Sequence, residues 1–252
     1  MAKILYLVPG VGLSDEEKKR RENLANSFLT QKENRVFVDD VDEGPSSIES
    51  SVEEFMSVPG TLKKLVEVQE DYDAMIIGCA GDPGLVPARE LARIPVIGPI
   101  ESSLAVASML GENFSIITVL DSIVPAIWHI LRAYGLEHKC ASVRVVNCPV
   151  LDLAGKLDQV VDAFLQESQK AVKEDRAASL VLGCMSMAFL LVDELARGKV
   201  DVPIINPAKV SVKAAEMLVS LGLSQSRATY PKPNYEKLKK SVFPKLRTGG
   251  KE

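Results

Sequence analysis

The sequence holds only two histidines, His129 and His138, and a single tryptophan, Trp128, among 252 residues. A catalytic triad built on histidine is therefore poorly supplied. The four cysteines, Cys79, Cys140, Cys148 and Cys184, show no CxxC spacing and no histidine cluster beside them, which argues against a structural zinc site. Basic charge is not in excess either: the formal net charge is -4, so nucleic acid is not an expected partner. No apolar run approaches the roughly 20 residues that a membrane helix requires, so no membrane association is expected. The opening stretch, Met1–Pro9, is short and strand-like without a cleavage site, so a signal peptide is not expected. These absences point to a cytoplasmic chain with reduced thiols.

What remains is ordinary globular composition, 46% hydrophobic and 25% charged. The length suits one large α/β domain or two small ones. Eight apolar, β-branched runs recur, from Ile4–Val8 and Val36–Val38 to Leu180–Gly183 and Pro203–Ile205. Several are continuous rather than alternating, as in parallel strands buried on both faces. Helical patterns separate them. Asp15–Leu29 opens on Ser14 with Glu17 three residues later, a helix-start signature. Leu62–Glu70, Ser102–Leu110, Ile123–Ala133, Leu157–Val172, Phe189–Ala196 and Val210–Leu221 follow. The Lys-rich end, Lys232 to Lys251, reads as a solvated tail. Strand–helix alternation gives an α/β fold with parallel strands, and leaves a closed barrel and two open sheets as alternatives.

An internal repeat carries more information. Met75-Ile-Ile-Gly-Cys79, Glu90-Leu-Ala-Arg93 and Pro95-Val-Ile-Gly-Pro99 are matched by Leu180-Val-Leu-Gly-Cys184, Glu194-Leu-Ala-Arg197 and Pro203-Ile-Ile-Asn-Pro207. The cysteines are 105 residues apart and the closing prolines 108. Two homologous lobes would be related by an approximate two-fold axis. Each would carry one cysteine to the carboxyl end of a parallel strand, where open α/β sheets place ligands.

Two thiols facing one cleft suit the inversion of a carbon stereocentre. One sulfur, as thiolate, removes the proton from one face, and the other returns a proton from the opposite face. The developing enolate oxygen needs donors. Backbone N–H groups of Ala80, Gly81, Met185 and Ser186 are candidates, with Thr118 and Ser186 as side-chain donors. Asp82-Pro83 resembles a helix N-cap and first helical residue, which would favour a thiolate at Cys79.

Gly44-Pro45-Ser46-Ser47-Ile48-Glu49-Ser50, Val58-Pro59-Gly60, Gly78-Cys79-Ala80-Gly81-Asp82-Pro83-Gly84-Leu85 and Leu182-Gly183-Cys184-Met185 resemble hydantoin racemases of the aspartate/glutamate/hydantoin racemase superfamily. The similarity runs from the first strand to about Leu223. It implies two similar lobes, each a parallel sheet flanked by helices, in pseudo-two-fold relation with the active site between them. It implies crossovers near Pro99 and Pro207, so that residues 1–99 and 208–252 form one lobe and 100–207 the other. It implies racemisation by Cys79 and Cys184 without pyridoxal phosphate, metal or other cofactor. The substrate class it implies is a 5-substituted hydantoin or allantoin. An amino-acid racemase, or an enolate-forming isomerase or decarboxylase, is the alternative within the fold. A two-lobed binder of a small ligand, with structural thiols, is the alternative outside enzymes.

Pro9, Gly10, Ser47, Ala80, Gly81, Asp82, Thr118, Met185 and Ser186 are the expected substrate contacts. The turn Val8-Pro9-Gly10-Val11-Gly12 departs from the Asn-Pro-Asn-Thr type of many relatives. Ala80 and Met185 stand where relatives acting on free aspartate or glutamate often carry Asn or Thr, and that favours a neutral ring over an amino acid. Cys148 is expected in core or loop, Cys140 partly exposed, and His129 in packing or on the surface. Asp121 and Ser122 are expected to cap a helix. A homo-oligomer is expected, with the Trp128–Tyr134 helix and the basic tail as candidate contacts.

Overall fold

The structure, a computed structural model, describes residues 1–243. Among these residues, eight strands form two separate parallel sheets of four, ordered β2-β1-β3-β4 and β6-β5-β7-β8, and the barrel alternative is thereby discarded. The first sheet comprises β1 (Lys3–Val8), β2 (Arg35–Asp40), β3 (Ala74–Ile77) and β4 (Val96–Ile97); the second comprises β5 (Phe114–Thr118), β6 (Cys140–Val145), β7 (Leu180–Leu182) and β8 (Ile204–Ile205). The order is the same in both. The cysteine-bearing strands correspond in register: Leu7 pairs with Ile77, and Ile117 with Leu182. Every residue of β3, β5 and β7 is buried, which explains their unbroken apolar sequences. The edge strand β2 is partly exposed and ends on Asp39 and Asp40.

The helices are α1 (Asp15–Ser27), α2 (Ser51–Val68), α3 (Leu85–Leu91), α4 (Pro99–Leu110), α5 (Val124–Ala133), α6 (Leu157–Lys173), α7 (Met185–Phe189), α8 (Val192–Leu195), α9 (Pro207–Ser220) and α10 (Tyr235–Ser241). Ser14 caps α1 as its sequence predicts, accepting from the Glu17 N–H at 3.1 Å. Helix α2 begins far earlier than the expected Leu62. Ser50 caps it, Glu53 reaches back to the Glu49 N–H at 2.7 Å, and the helix runs through Pro59. Pro59 lies on the exposed side, where a carbonyl that loses its helical partner can turn to water. Gly60 allows this helix to press onto the loop before it: a Cβ there would lie 2.0 Å from the Glu43 carbonyl oxygen. The expected helix Phe189–Ala196 is instead split into α7 and α8 by Leu191, whose φ is 56°.

Helix α4 follows β4 in sequence yet packs on β7 and β8, while α9 follows β8 and packs on β3 and β4. The two helices pack on each other between the sheets. One apolar cluster spans both sheets, uniting Ile4, Tyr6 and Ile76 with Leu182, Met187 and Phe189. Tyr6 and Phe189 meet edge to face with ring centroids 5.1 Å apart. Burying side chains of this size contributes roughly 1.5–3 kcal/mol each.

The tail expectation changes. Tyr235, Leu238 and Phe243 pack against the first sheet's outer core, so the segment around α10 is docked rather than solvated. The remainder of that tail, residues 244–252, lies outside the described residues. Among the described residues no helix is long and apolar enough to cross a membrane.

Candidate active site

Cys79 and Cys184 open onto one cavity of about 530 Å³ between the sheets. Each follows a glycine at the end of its strand, and packing explains both glycines. A Cβ on Gly78 would lie 2.7 Å from Tyr6 Cε1 and 2.8 Å from the Leu7 carbonyl oxygen; one on Gly183 would lie 2.8 Å from Thr118 Cβ. The Tyr6 hydroxyl donates to the Gly78 carbonyl at 3.2 Å, and the Thr118 hydroxyl to the Gly183 carbonyl at 3.2 Å. Both cysteines are thus held at strand ends by a polar clasp on the preceding residue.

Burial pushes the Cys79 thiol up to about 12, opposed by the Gly81 N–H, which donates to its sulfur at 3.4 Å. The Cys184 thiol is also raised by burial. The N–H groups of Met187 and Ser186, the Arg21 guanidinium and the Ser186 hydroxyl all work the other way. The fully buried Tyr6 phenol stays protonated because burial raises it strongly.

Of the expected contacts, Pro9, Gly10 and Ser47 line the cavity, as do Ala80, Gly81, Met185 and Ser186. Two do not. Thr118 is fully buried behind the wall, its hydroxyl spent on Gly183. Asp82 is 6% exposed and turned toward the second sheet. Its carboxylate accepts from the Ile100 N–H at 3.0 Å, the Glu101 N–H at 2.9 Å and the Tyr134 hydroxyl at 3.1 Å. Asp82 therefore caps α4, not the helix that follows Cys79. That next helix, α3, starts only at Leu85, after Gly84 in the left-handed region at φ 70°. Burial pushes the Asp82 carboxyl up to about 7, against the pull of those donors. The contact is a strut between the Cys79 turn and the elements of the second sheet.

Other expectations also shift. Ser122 does not cap a helix; its hydroxyl donates to the Glu49 carbonyl at 2.6 Å, joining loops from the two halves. Cys140 is buried at the start of β6 rather than partly exposed. Cys148 is buried as expected, His129 is exposed, and neither Cys140 nor Cys148 lines the cavity.

Four charged residues line the cavity without a sequence signal for that place: Glu17, marked only as part of a helix start, and Arg20, Arg21 and Glu54. The run Asp15-Glu-Glu-Lys-Lys-Arg-Arg looks like a fully solvated helix. Yet Arg21 is only 9% exposed. Glu17 accepts from Arg20 Nε at 2.7 Å and Arg21 Nε at 2.7 Å, and chiefly the Arg20 contact holds its carboxyl down at about 2. Arg20 also donates to the Phe189 carbonyl at 2.9 Å, tying α1 to α7. Glu54 sits across the cavity on α2, its carboxyl raised by burial. The wall from the second half is aliphatic: Ile123, Ile127 and Ile130 from the α5 segment, and Val150, Leu151 and Leu153 from the turn after β6.

Residues 17–215 match the Asp/Glu/Hydantoin racemase family. The chain belongs to that family. It is an isomerase of the racemase type. It is 38% identical over 192 residues to a hydantoin racemase of Pseudomonas sp. (strain NS671), a match covering 75% of this chain and 76% of that one. It is 39% identical over 191 residues to a hydantoin racemase of Rhizobium meliloti, covering 75% of this chain and 78% of that one. An allantoin racemase from Klebsiella pneumoniae superimposes with a TM-score of 0.83 at 30% identity, covering 93% of this chain and 94% of that one. The paired-sheet architecture is the racemase fold of such neighbours.

Proposed function

We propose that the protein racemises 5-substituted hydantoins by proton transfer between Cys79 and Cys184, without a cofactor. The observation that carries this reading is the shared cavity. Two sulfurs at corresponding strand ends, on the two halves of one fold, border the same space. A thiolate at one cysteine takes the C5 proton of the substrate. The C5–H electron pair moves into the ring to form an enolate, with charge on the adjacent carbonyl oxygen. The thiol of the other cysteine then delivers its proton to C5 from the opposite face. The result is the mirror-image hydantoin and a thiolate on the second sulfur. Backbone N–H groups of Ala80 and Met185, next to the sulfurs in the chain, supply donors for ring oxygens, while those of Gly81 and Ser186 serve the sulfurs themselves.

The aliphatic wall supports an apolar substituent at C5 rather than the ureido group of allantoin. A ureido group pressed on Ile127 and Leu153 would lose water without gaining partners, at a cost of roughly 1–3 kcal/mol per unpaired group. We assign residues 1–99 and 208–243 to one lobe and 100–207 to the other, a division in line with the packing of α4 and α9 on the opposite sheets; the end of the expected first lobe, 244–252, lies outside the described residues.

Polarimetry over a panel of single enantiomers tests the reading. The panel holds a 5-benzyl and a 5-isobutyl hydantoin, allantoin, aspartate and glutamate. Optical rotation should decay fastest with the two apolar hydantoins. Decay with aspartate or glutamate alone would move the protein to amino acids. No decay with any member, combined with tight binding, would favour a small-ligand binder with structural thiols.

A further inference from the structure

We propose that Arg21 is a positioning residue that makes Cys184 the thiolate-bearing sulfur of the free enzyme and leaves Cys79 as the thiol. The inference rests on the racemase reading and deepens it. The two sulfurs share one cavity, but their electrostatic surroundings are opposite in sign.

On the Cys184 side stands Arg21. It lines the cavity together with Cys184 while being almost wholly buried. Its guanidinium lies 5.3 Å from the ring centroid of Phe189, the last residue of the short helix that Cys184 begins. Its Nε is fixed to Glu17 at 2.7 Å. Its two terminal nitrogens have no acceptor among the described residues, and neither is sealed from solvent. Glu17 is shared between two guanidinium groups, Arg20 and Arg21, so the three together keep one net positive charge. Ser186 adds an N–H and a hydroxyl beside the Cys184 sulfur, and Met187 adds an N–H.

On the Cys79 side the neighbours are acidic. Asp82 is three residues away in the same turn, and Glu54 faces the cavity from α2. One N–H, from Gly81, opposes them. Tyr6 from β1 lies near both sulfurs and is neutral. Each sulfur is also the other's neighbour, so forming a thiolate on one discourages it on the other. A cation by one and carboxylates by the other divide the pair: one proton resides on Cys79, and the negative charge on Cys184.

A functional asymmetry follows. The resting form accepts the enantiomer whose C5–H faces Cys184. After turnover the thiolate lies on Cys79 and the proton on Cys184, and the resting form returns by proton exchange with water. For mirror-image substrates with an equilibrium constant of one, kcat/KM is equal in both directions. The asymmetry therefore divides into unequal kcat and unequal KM.

The test is iodoacetamide alkylation of the full chain without substrate, resolved by peptide mass spectrometry and followed against pH. Cys184 should alkylate with a lower midpoint than Cys79. In Arg21→Gln the Cys184 midpoint should rise by about one pH unit, about tenfold less thiolate at neutral pH, while that of Cys79 stays. Arg21→Lys should restore most of the difference. Glu54→Gln, on a partly exposed helix face, should lower the Cys79 midpoint alone. Coincident midpoints in the wild type, a lower midpoint at Cys79, or an unmoved Cys184 in folded Arg21→Gln would overturn the proposal. If Arg21→Gln does not fold, the wild-type order and the Glu54→Gln shift decide it. Alkylation needs no turnover, so the order of the sulfurs is settled independently of whether the panel above is racemised.

Discussion

Tyr134→Phe and Asp82→Ala, singly and together, measure the strut that ties the Cys79 turn to the second half of the fold. Asp82 holds two N–H donors and the Tyr134 hydroxyl within 2.9–3.1 Å and is 6% exposed. Solvent screens it little. A hydrogen bond to a charged acceptor contributes about 1.5–3 kcal/mol and one to a neutral acceptor about 0.5–1.5. Because burial raises the Asp82 carboxyl to about 7, it is largely protonated at pH 5 and largely ionised at pH 8.5. The Tyr134–Asp82 coupling should therefore grow from about 1 kcal/mol at pH 5 to about 2 at pH 8.5. The total contribution of Asp82 runs the other way. Its folded value lies above the ordinary unfolded value, so its stabilisation is full below about 4 and falls as pH rises through about 7. The gap between wild type and Asp82→Ala should shrink over that window. Urea denaturation of the four proteins at both pH values gives both quantities. A coupling below about 0.3 kcal/mol at pH 8.5, or one that declines with pH, would refute the strut.

Gly78→Ala and Gly183→Ala should each cost about 1–3 kcal/mol by overpacking, read as a lower urea midpoint, because the new methyl meets Tyr6 or Thr118 below 3 Å. Leu151→Ser, at an exposed position on the cavity wall, should leave stability within about 0.5 kcal/mol of wild type. It should lower kcat/KM for 5-benzylhydantoin about tenfold relative to allantoin, measured by polarimetry on both. Cys140→Ala and Cys148→Ala should retain full racemisation, since neither thiol reaches the cavity; loss of turnover in a folded variant would add a third sulfur to the mechanism.

The repeat was the most legible feature. Strand, Gly-Cys, strand and Pro-led helix recur because each half must build the same sheet, and continuous apolar runs mark strands buried on both faces. All eight strand positions emerge from such runs. The apolar pattern marks α2 only from Leu62, because a proline and a glycine at 59 and 60 are poor helix formers; the exposed face tolerates the proline and the Glu43 loop demands the glycine. Asp82-Pro83 resembled a local cap. Sequence distance hid its true partners, the N–H groups of Ile100 and Glu101, which arrive only when α4 crosses to the other sheet. Arg21 was missed for a related reason. A guanidinium within a charged helix looks solvated until Phe189, 168 residues later, closes over it. Local pattern disclosed the sulfurs; the charges that tune them come from long-range packing.

In the proposed mechanism two sulfurs act on one carbon from opposite faces. Proton NMR of each enantiomer of a 5-substituted hydantoin in D2O, with wild type, Cys79→Ser and Cys184→Ser, tests it most directly. Wild type should replace the C5 proton of both enantiomers with deuterium as optical rotation decays. Each serine variant should fail to racemise, with any residual exchange confined to one enantiomer, opposite for the two variants. Racemisation at the wild-type rate by either variant would contradict the account.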